Sequence, residues 1–392
     1  MTPDAAWLRA LVYGGAVLGG GGGGSLQAGL TAARDALAAG TPHILALDRI
    51  DPRATLLTLS AVGTVGTTSG GGLSHRHFAR ALAVFESFAG RTPAGFIASE
   101  VGPRAVTYGL RESAVTGIPV VDAPCNGRAH PLFAMGSLGL HRRPGLTSAA
   151  VAVGGAFGSP RYVELAIRAN VTTGGRIVRE RAARSGVALA VARNPLPAAY
   201  VRRHAAVGGL AYAARVGRTL LARLPQGCSA ALAALAKLMG GRVIGHGRVA
   251  SADLMEQQGF TVGQIMLART GGRPLRLHVC NELMAADDRG RRLATFPDLI
   301  TLFDSQSGLP LGSAEATEGR AVAVFAVSRT RLILGSTMQD AGLLRGIEEL
   351  LGVALGGAGE KSPRPSMVDV TPMRLAPNSQ SRRPVAPLPS LL

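Results

Sequence analysis

Lysine is almost missing from this chain. Lys237 and Lys361 stand alone among basic residues that are otherwise arginine, scattered from end to end. The net charge of +18 therefore gathers into no basic run of the kind that grips a phosphate backbone. Aromatic residues are only 4% of the sequence, which leaves few platforms for stacking single strands, and no helix-turn-helix or RNA-binding signature occurs. A nucleic-acid partner is not expected. Cysteine is scarce too: Cys125, Cys228 and Cys280 are odd in number, far apart and without Cys-x-x-Cys spacing, so neither a disulfide framework nor a zinc ribbon is indicated. No apolar run reaches the roughly eighteen residues of a membrane helix, and "AAWLRALVYGGAVLGG" near the N-terminus is broken by Arg9 and glycines. The expectation is a soluble cytoplasmic protein, without a signal peptide and without a membrane partner.

Hydrophobic residues, at 47%, and glycine, with 53 copies, are plentiful. A chain of 392 residues exceeds one ordinary core, which points to two domains. The run "VLGGGGGGSLQAGL" (17–30) sets six glycines before a helical stretch. Dinucleotide folds need a strand before such a loop; here residues 4–18 carry Trp7, Leu8, Leu11, Val12 and Leu18 at helical spacing. That requirement fails. Ser25 is placed to cap a second helix with Leu26, Leu30, Ala33 and Leu37 on one stripe and Gly40 at its end. Two readings stay open: Gly21, Gly22, Gly23, Gly24 and Ser25 offer backbone N–H groups to a ligand, or the run lets two helices approach closely.

Farther on, "HILAL" (43–47), "TLLTLSAVG" (55–63), "GFIASE" (95–100) and "IPVVDAP" (118–124) read as strands. A helix after Ser74, with Phe78, Leu82, Phe85 and Phe88 on its apolar face, and another over 103–116 lie between them. Strand, helix, strand implies parallel pairs joined by right-handed crossovers, with the ligand crevice beyond the carboxyl ends of the strands. Glu100 and Asp122 stand there. Helices over 205–224 and 231–241 follow, and from "GRVIGHGRV" the pattern alternates at period two through "TVGQIMLAR", "PLRLHVCNEL", "LATFPDLITLFD" and "AVAVFAVS". From Gly356 proline, serine and glycine dominate; only "MVDV" can add a strand, and disorder is expected beyond about residue 376.

The stretches "VLGGGGGG", "SEVG", "GIPVVDAPCNGRAHP", "GFTVGQIML", "VCNELMAA" and "FPDLITLFDSQSGLP", in this order, resemble the S-methyl-thiohydantoin desulfurase-like family, long known as a hydantoinase-associated domain. The resemblance runs from about residue 5 to about 355. It implies an α/β N-terminal domain, a layered sheet with helices (1–170), then helices and a mainly β, barrel-like C-terminal domain (171–356), with a Pro-rich tail (357–392). It also implies hydrolysis of a small cyclic ureide at the carbon between the ring nitrogens, releasing thiol or sulfide, in a small-molecule cleft. Glu100, Gly102, Asp122, Gly127, Arg128 and Pro131 match the family pattern; Ala98, Pro103, Ala105, Pro124 and Leu132 depart from it, and "GTVGTTSGGGLSHRHF" (63–78) lacks the Glu-Lys pair of the family. Asn281, Glu282 and Asp298 match in the second half.

Displacing a thiol from an amidine-like carbon needs an activated water, a group on the ring carbonyl and a proton for sulfur. Asp122 or Glu100 can serve as base, Arg128 as the fork on a carbonyl or carboxylate, His130 as proton donor and Cys125 as a nucleophile. Asp122 is expected to be the residue the enzyme can least spare. Structural roles compete throughout: a turn cap for Asp122 and Asp298, an ion pair for Arg128, a buried thiol for Cys125. His75 and His77 have poor spacing for a metal pair, no ligand signature appears, and the metal and cofactor stay unknown, with a divalent ion across Asp122, His130 and another histidine left open. A non-catalytic ligand-binding subunit is the alternative, with a homo-oligomer or a hydantoinase-type protein as partner.

Overall fold

The computed structural model describes residues 1–63, 73–269 and 272–355. Most of the 63–78 stretch and the whole Pro-rich tail, "MVDV" included, lie outside them. In chain order the first half holds α1 (Ala5–Leu18), α2 (Leu26–Ala39), β1 (Ile44–Leu45), β2 (Thr55–Val62), α3 (His75–Ala89), β3 (Gly95–Ala98), α4 (Leu110–Thr116) and β4 (Val120–Val121). Next come β5 (Ser148–Gly154), β6 (Val163–Ala169), α5 (Val171–Ser185), β7 (Leu189–Pro197), α6 (Ala198–His204), α7 (Gly209–Arg223) and α8 (Cys228–Met239). The remainder is β8 (Arg242–Gln257), β9 (Phe260–Ala268), β10 (Leu275–Cys280), β11 (Glu282–Asp288), β12 (Arg291–Thr295), β13 (Leu299–Asp304), β14 (Pro310–Leu311), β15 (Ala321–Val327) and α9 (Ala341–Leu351).

Local chemistry sets the helix ends. Asp4 caps α1 by accepting from Trp7 N at 2.7 Å, and Ser25 caps α2 by accepting from Ala28 N at 3.2 Å. Ser74 opens α3 and Gly90, in the left-handed region, closes it. The expected helix over 103–116 is broken in two, because Gly109 at φ 87° ends a single 3-10 turn before α4 starts. "HILAL" yields only a two-residue ladder before turning. Phe88 is 37% exposed rather than buried, with the Arg168 guanidinium lying over its ring.

Two sheets result. The first runs β1-β4-β3-β2-β7-β5-β6; β1, β4, β3 and β2 are parallel and the others antiparallel. β7, which lies beyond the expected boundary at 170, sits inside this sheet between β2 and β5. Helix α3 packs on one face with Phe78 and Phe85, and α5 on the other with Val178 and Ala182. The second sheet is antiparallel, eight strands in the order β12-β11-β10-β9-β8-β15-β13-β14.

Between the sheets lies a helical layer. Leu11, Val17 and Leu18 of α1 share one core with Leu210 and Leu220 of α7 and with Leu299, Phe303 and Phe325 of the second sheet. A Cβ on Gly14 would stand 1.7 Å from Ala213 O, and one on Gly217 would stand 1.8 Å from Ala10 O, so glycine is what lets α1 and α7 touch. Thr301 adds a hydrogen bond to Val17 O at 2.8 Å. The carboxyl end of α1, and the glycine run after it, are thereby pinned where both domains meet.

Candidate active site

The glycine run is a junction before it is anything else. Gly20 O accepts from Leu283 N (2.8 Å), Gly21 O from Ser313 N (2.9 Å), and Gly23 O from Arg104 N (3.0 Å) and Ala105 N (3.2 Å). Its carbonyls thus tie the second sheet to the loop after β3. Gly20, Gly21, Gly23 and Gly24 all have positive φ, a path that side-chain-bearing residues rarely follow. The other surface of the run, with Ser25 at the start of α2, faces a cavity of about 480 Å³.

That cavity collects groups from distant elements. Glu100 comes from the carboxyl end of β3, as the crevice rule requires; His130 from the loop after β4; Arg193 from β7; Arg179 from α5; Asn281 and Glu282 from the β10–β11 reversal. Asn281 holds φ 58° and is clamped there: its Oδ1 accepts from Thr261 N (2.9 Å) and its carbonyl accepts from Ser313 Oγ (2.6 Å). The next residue, Glu282, is only 2% exposed, and its Oε2 has no hydrogen-bond partner among the described residues.

Two carboxyls from two domains face one space. Burial pushes Glu100 up to about 7, against the pull of the His130 N–H (3.1 Å from Oε2) and of Arg193, Arg128 and Arg179. Burial, reinforced by the Glu100 charge, holds Glu282 well above the carboxylate range, with Arg128 opposing it. Arg128, Arg179 and Arg193 are lowered to about 10 by burial and stay charged at neutral pH. Glu100 keeps 15% of its side chain exposed. Of the pair it is the more accessible member and the one that accepts a hydrogen bond, from the His130 N–H.

Several expected site residues do something else. Asp122 lies at the end of β4 but turns away to α7, accepting from Leu210 N (2.7 Å) and Ala211 N (3.1 Å). It caps that helix and does not line the cavity. Cys125 is fully buried against Thr58, and burial pushes its thiol up to about 11, so it is neither ionised nor accessible. Both leave the proposed catalytic group. His130 does line the cavity, yet burial and then Arg193 bring it down to about 3, so it is neutral; its Nε2 lies 3.3 Å from Ser99 O. A neutral imidazole is no donor of the expected kind. Arg128 spends Nη1 on Pro297 O (3.2 Å) and on Asp298 O, lies over the Phe296 ring at 4.7 Å, and leaves Nη2 without a partner among the described residues. It stands behind the carboxyls as a fixed charge rather than in the cavity.

Asp298 takes the turn role, its N–H donating to Thr295 O (2.9 Å), while its carboxylate accepts from Arg329 N (2.8 Å) and Nε (2.9 Å). His77 is also structural: Nδ1 accepts from Ser74 N (3.0 Å) while Nε2 donates to Gly155 O (2.8 Å). Among the described residues no group of three or more His, Cys, Asp or Glu is placed to hold a metal. The three cysteines are free, and no described helix is long and apolar enough to cross a membrane. Sequence reasoning missed Arg193 and Arg179. Arg193 donates to Phe133 O (2.7 Å) and Ser60 Oγ (3.2 Å), and Arg179 to Pro131 O (2.8 Å) and Gly259 O (2.7 Å). The signal for Arg193 was present: a charge inside the apolar run "LAVARNPLP".

Fold and site together define a two-domain protein, α/β sheet followed by antiparallel sheet, with a carboxyl-bearing cleft at their junction. Residues 6–163 match the S-Me-THD-like N-terminal domain and residues 169–336 the S-Me-THD-like C-terminal domain, and the chain belongs to this S-methyl-thiohydantoin desulfurase-like family. Its fold is similar to that of a protein from Chromobacterium violaceum solved by X-ray crystallography: TM-score 0.66 at 20% identity, covering 89% of this chain and 96% of that one. No curated protein matches.

Proposed function

We propose that this chain is a hydrolase of S-methyl-thiohydantoin or thiohydantoin-like rings, and that Glu100 and Glu282 carry the proton transfers. The supporting observation is that two buried glutamates, one from each domain, line one cavity in unlike surroundings: Glu100 is partly exposed and accepts from the His130 N–H, whereas Glu282 is 2% exposed with no partner for Oε2 among the described residues. Pairs of acids whose surroundings separate them in this way divide the roles of base and acid. Ionised Glu100 takes a proton from water as its oxygen bonds to the ring carbon between the nitrogens. Protonated Glu282 supplies a proton to sulfur as the carbon–sulfur bond breaks. The oxygen of water becomes the carbonyl oxygen of the hydantoin, one of its protons ends on ring nitrogen and the other is balanced by the proton leaving with the thiol. The buried arginines oppose the growing negative charge with dipoles and charge already in place.

The second reading, a ligand-binding subunit without turnover, draws on Leu132: an apolar side chain lines the cavity where the family pattern has an acid. The two separate in one experiment. Purified protein is incubated with hydantoins, thiohydantoins and their S-methyl derivatives, following ring absorbance and free thiol. Thiol release with formation of the hydantoin supports the hydrolase; saturable binding with no product supports the subunit.

A further inference from the structure

The two edges of the first sheet are finished differently. At β1 the chain's own start closes the edge: Ile44 N donates to Met1 O (3.0 Å) and the Met1 ammonium donates to Ile44 O (2.7 Å). At the other end β6 pairs with β5 alone. Ala166, at its centre, is exposed between two residues that α3 side chains touch, Glu164 against Arg80 and Arg168 over Phe88. An edge of seven residues with unused backbone donors and acceptors is a template for another strand.

The sequence of that edge is close to palindromic in chemistry. Reading Val-Glu-Leu-Ala-Ile-Arg-Ala outward from Ala166, Leu165 matches Ile167 and Glu164 is opposite in charge to Arg168. In an antiparallel pair of two identical strands centred on Ala166, Glu164 faces Arg168 of the second copy, twice by symmetry. Leu165 and Ile167, both half-buried against the α5 face, extend an apolar surface across the junction. Directly opposed side chains of this kind are what stabilise a strand pair, and a two-fold contact must be self-complementary. Charges that merely blunt an edge need no opposite sign. In a chain of 42 basic and 24 acidic residues, a glutamate balancing an arginine about the strand's midpoint is the less economical way to repel.

We propose that β6 is the interface of a two-fold dimer in which the first sheets of two copies join edge to edge. Glu164 now lies against Arg80 (2.7 and 2.8 Å) and Tyr162, and the Arg168 guanidinium lies over Phe88 at 5.4 Å. Both side chains therefore lie on the α3 face of the strand, and the strand pair would set Arg168 of the second copy beside the Glu164 carboxylate that Arg80 already holds. The inference does not depend on the catalytic reading.

The test is sedimentation velocity across the micromolar range on the full chain and on Glu164→Arg and Arg168→Glu. Each substitution sets like charges opposite each other twice, and the dimer dissociation constant should rise by about tenfold or more. Mixing the two variants restores both opposite pairs, and a mixed dimer should return to wild-type strength. Ala166→Cys should also form a covalent dimer under mild oxidation, mapped by peptide mass spectrometry to the strand. Arg168→Glu should melt like wild type, and Glu164→Arg, which gives up its surface bonds to Arg80, should melt only slightly lower. A wild-type monomer throughout, variants that dimerise as wild type does, or a mixture no stronger than its components each overturns the proposal.

Discussion

A Cβ built on Gly22 would lie 1.9 Å from Oε1 of Glu282 and 2.5 Å from its carboxyl carbon. Glycine at 22 is thus what allows a carboxyl of the second domain to rest against a loop of the first. Gly22→Val should push Glu282 out of place and abolish turnover and ligand binding. Gly22 itself is not among the glycines with positive φ, so the backbone needs no rearrangement and the circular-dichroism melt should stay near that of wild type. Full activity in this variant would show that the position of Glu282 is immaterial.

Asp122 is expected to matter for stability and not for chemistry. Its two hydrogen bonds to the first turn of α7 are those of a cap, worth about 1–2 kcal/mol when removed. Asp122→Ala should lower the thermal midpoint while the folded fraction turns over substrate at the wild-type rate. A hundredfold loss of turnover with an unchanged melt would return Asp122 to the catalytic group.

Glu100 also marks the pH dependence of folding. A carboxyl raised from 4.5 to about 7 keeps its proton in the folded state where the unfolded chain has lost it. Stability therefore falls as pH rises from about the unfolded value to about 7 and is level above that. Glu100→Gln removes this slope. Urea titrations at pH 5 and pH 7.5 should show the wild type losing more stability across the interval than the variant; equal losses would mean that Glu100 is not perturbed.

Cys125 should be silent. With the thiol pushed up to about 11 and no exposure, iodoacetamide should leave it unlabelled in the native protein, and Cys125→Ala should retain turnover. Rapid native labelling of that peptide together with loss of activity would contradict the buried, protonated thiol.

The elements that sequence periodicity placed best are those with strong local signals at both ends: α2 between Ser25 and Gly40, α3 between Ser74 and Gly90, and the β2 and β3 runs. What it left unread depends on distant partners. No strand is expected over residues 189–197, yet β7 hydrogen-bonds back to β2 and β5; nothing local records that choice. Glu100 and Asp122 look alike in sequence, each an acid ending a short apolar strand. They part only because the N-terminus of α7, some ninety residues later, arrives beside Asp122. The burial that sets Glu100 and Glu282 apart comes from two domains closing on each other, and no window of sequence contains both.

The central claim is that Glu100 as base and Glu282 as acid act across the domain junction, and the most direct test is kcat/KM against pH for wild type, Glu100→Gln and Glu282→Gln on one turned-over thiohydantoin derivative. The wild type should lose activity below about pH 7 as Glu100 takes up its proton, and again at higher pH as Glu282 loses its own. Each variant should fall by about a hundredfold or more and lose its own limb of the profile. Wild-type rates and an unchanged profile in either variant would contradict the account.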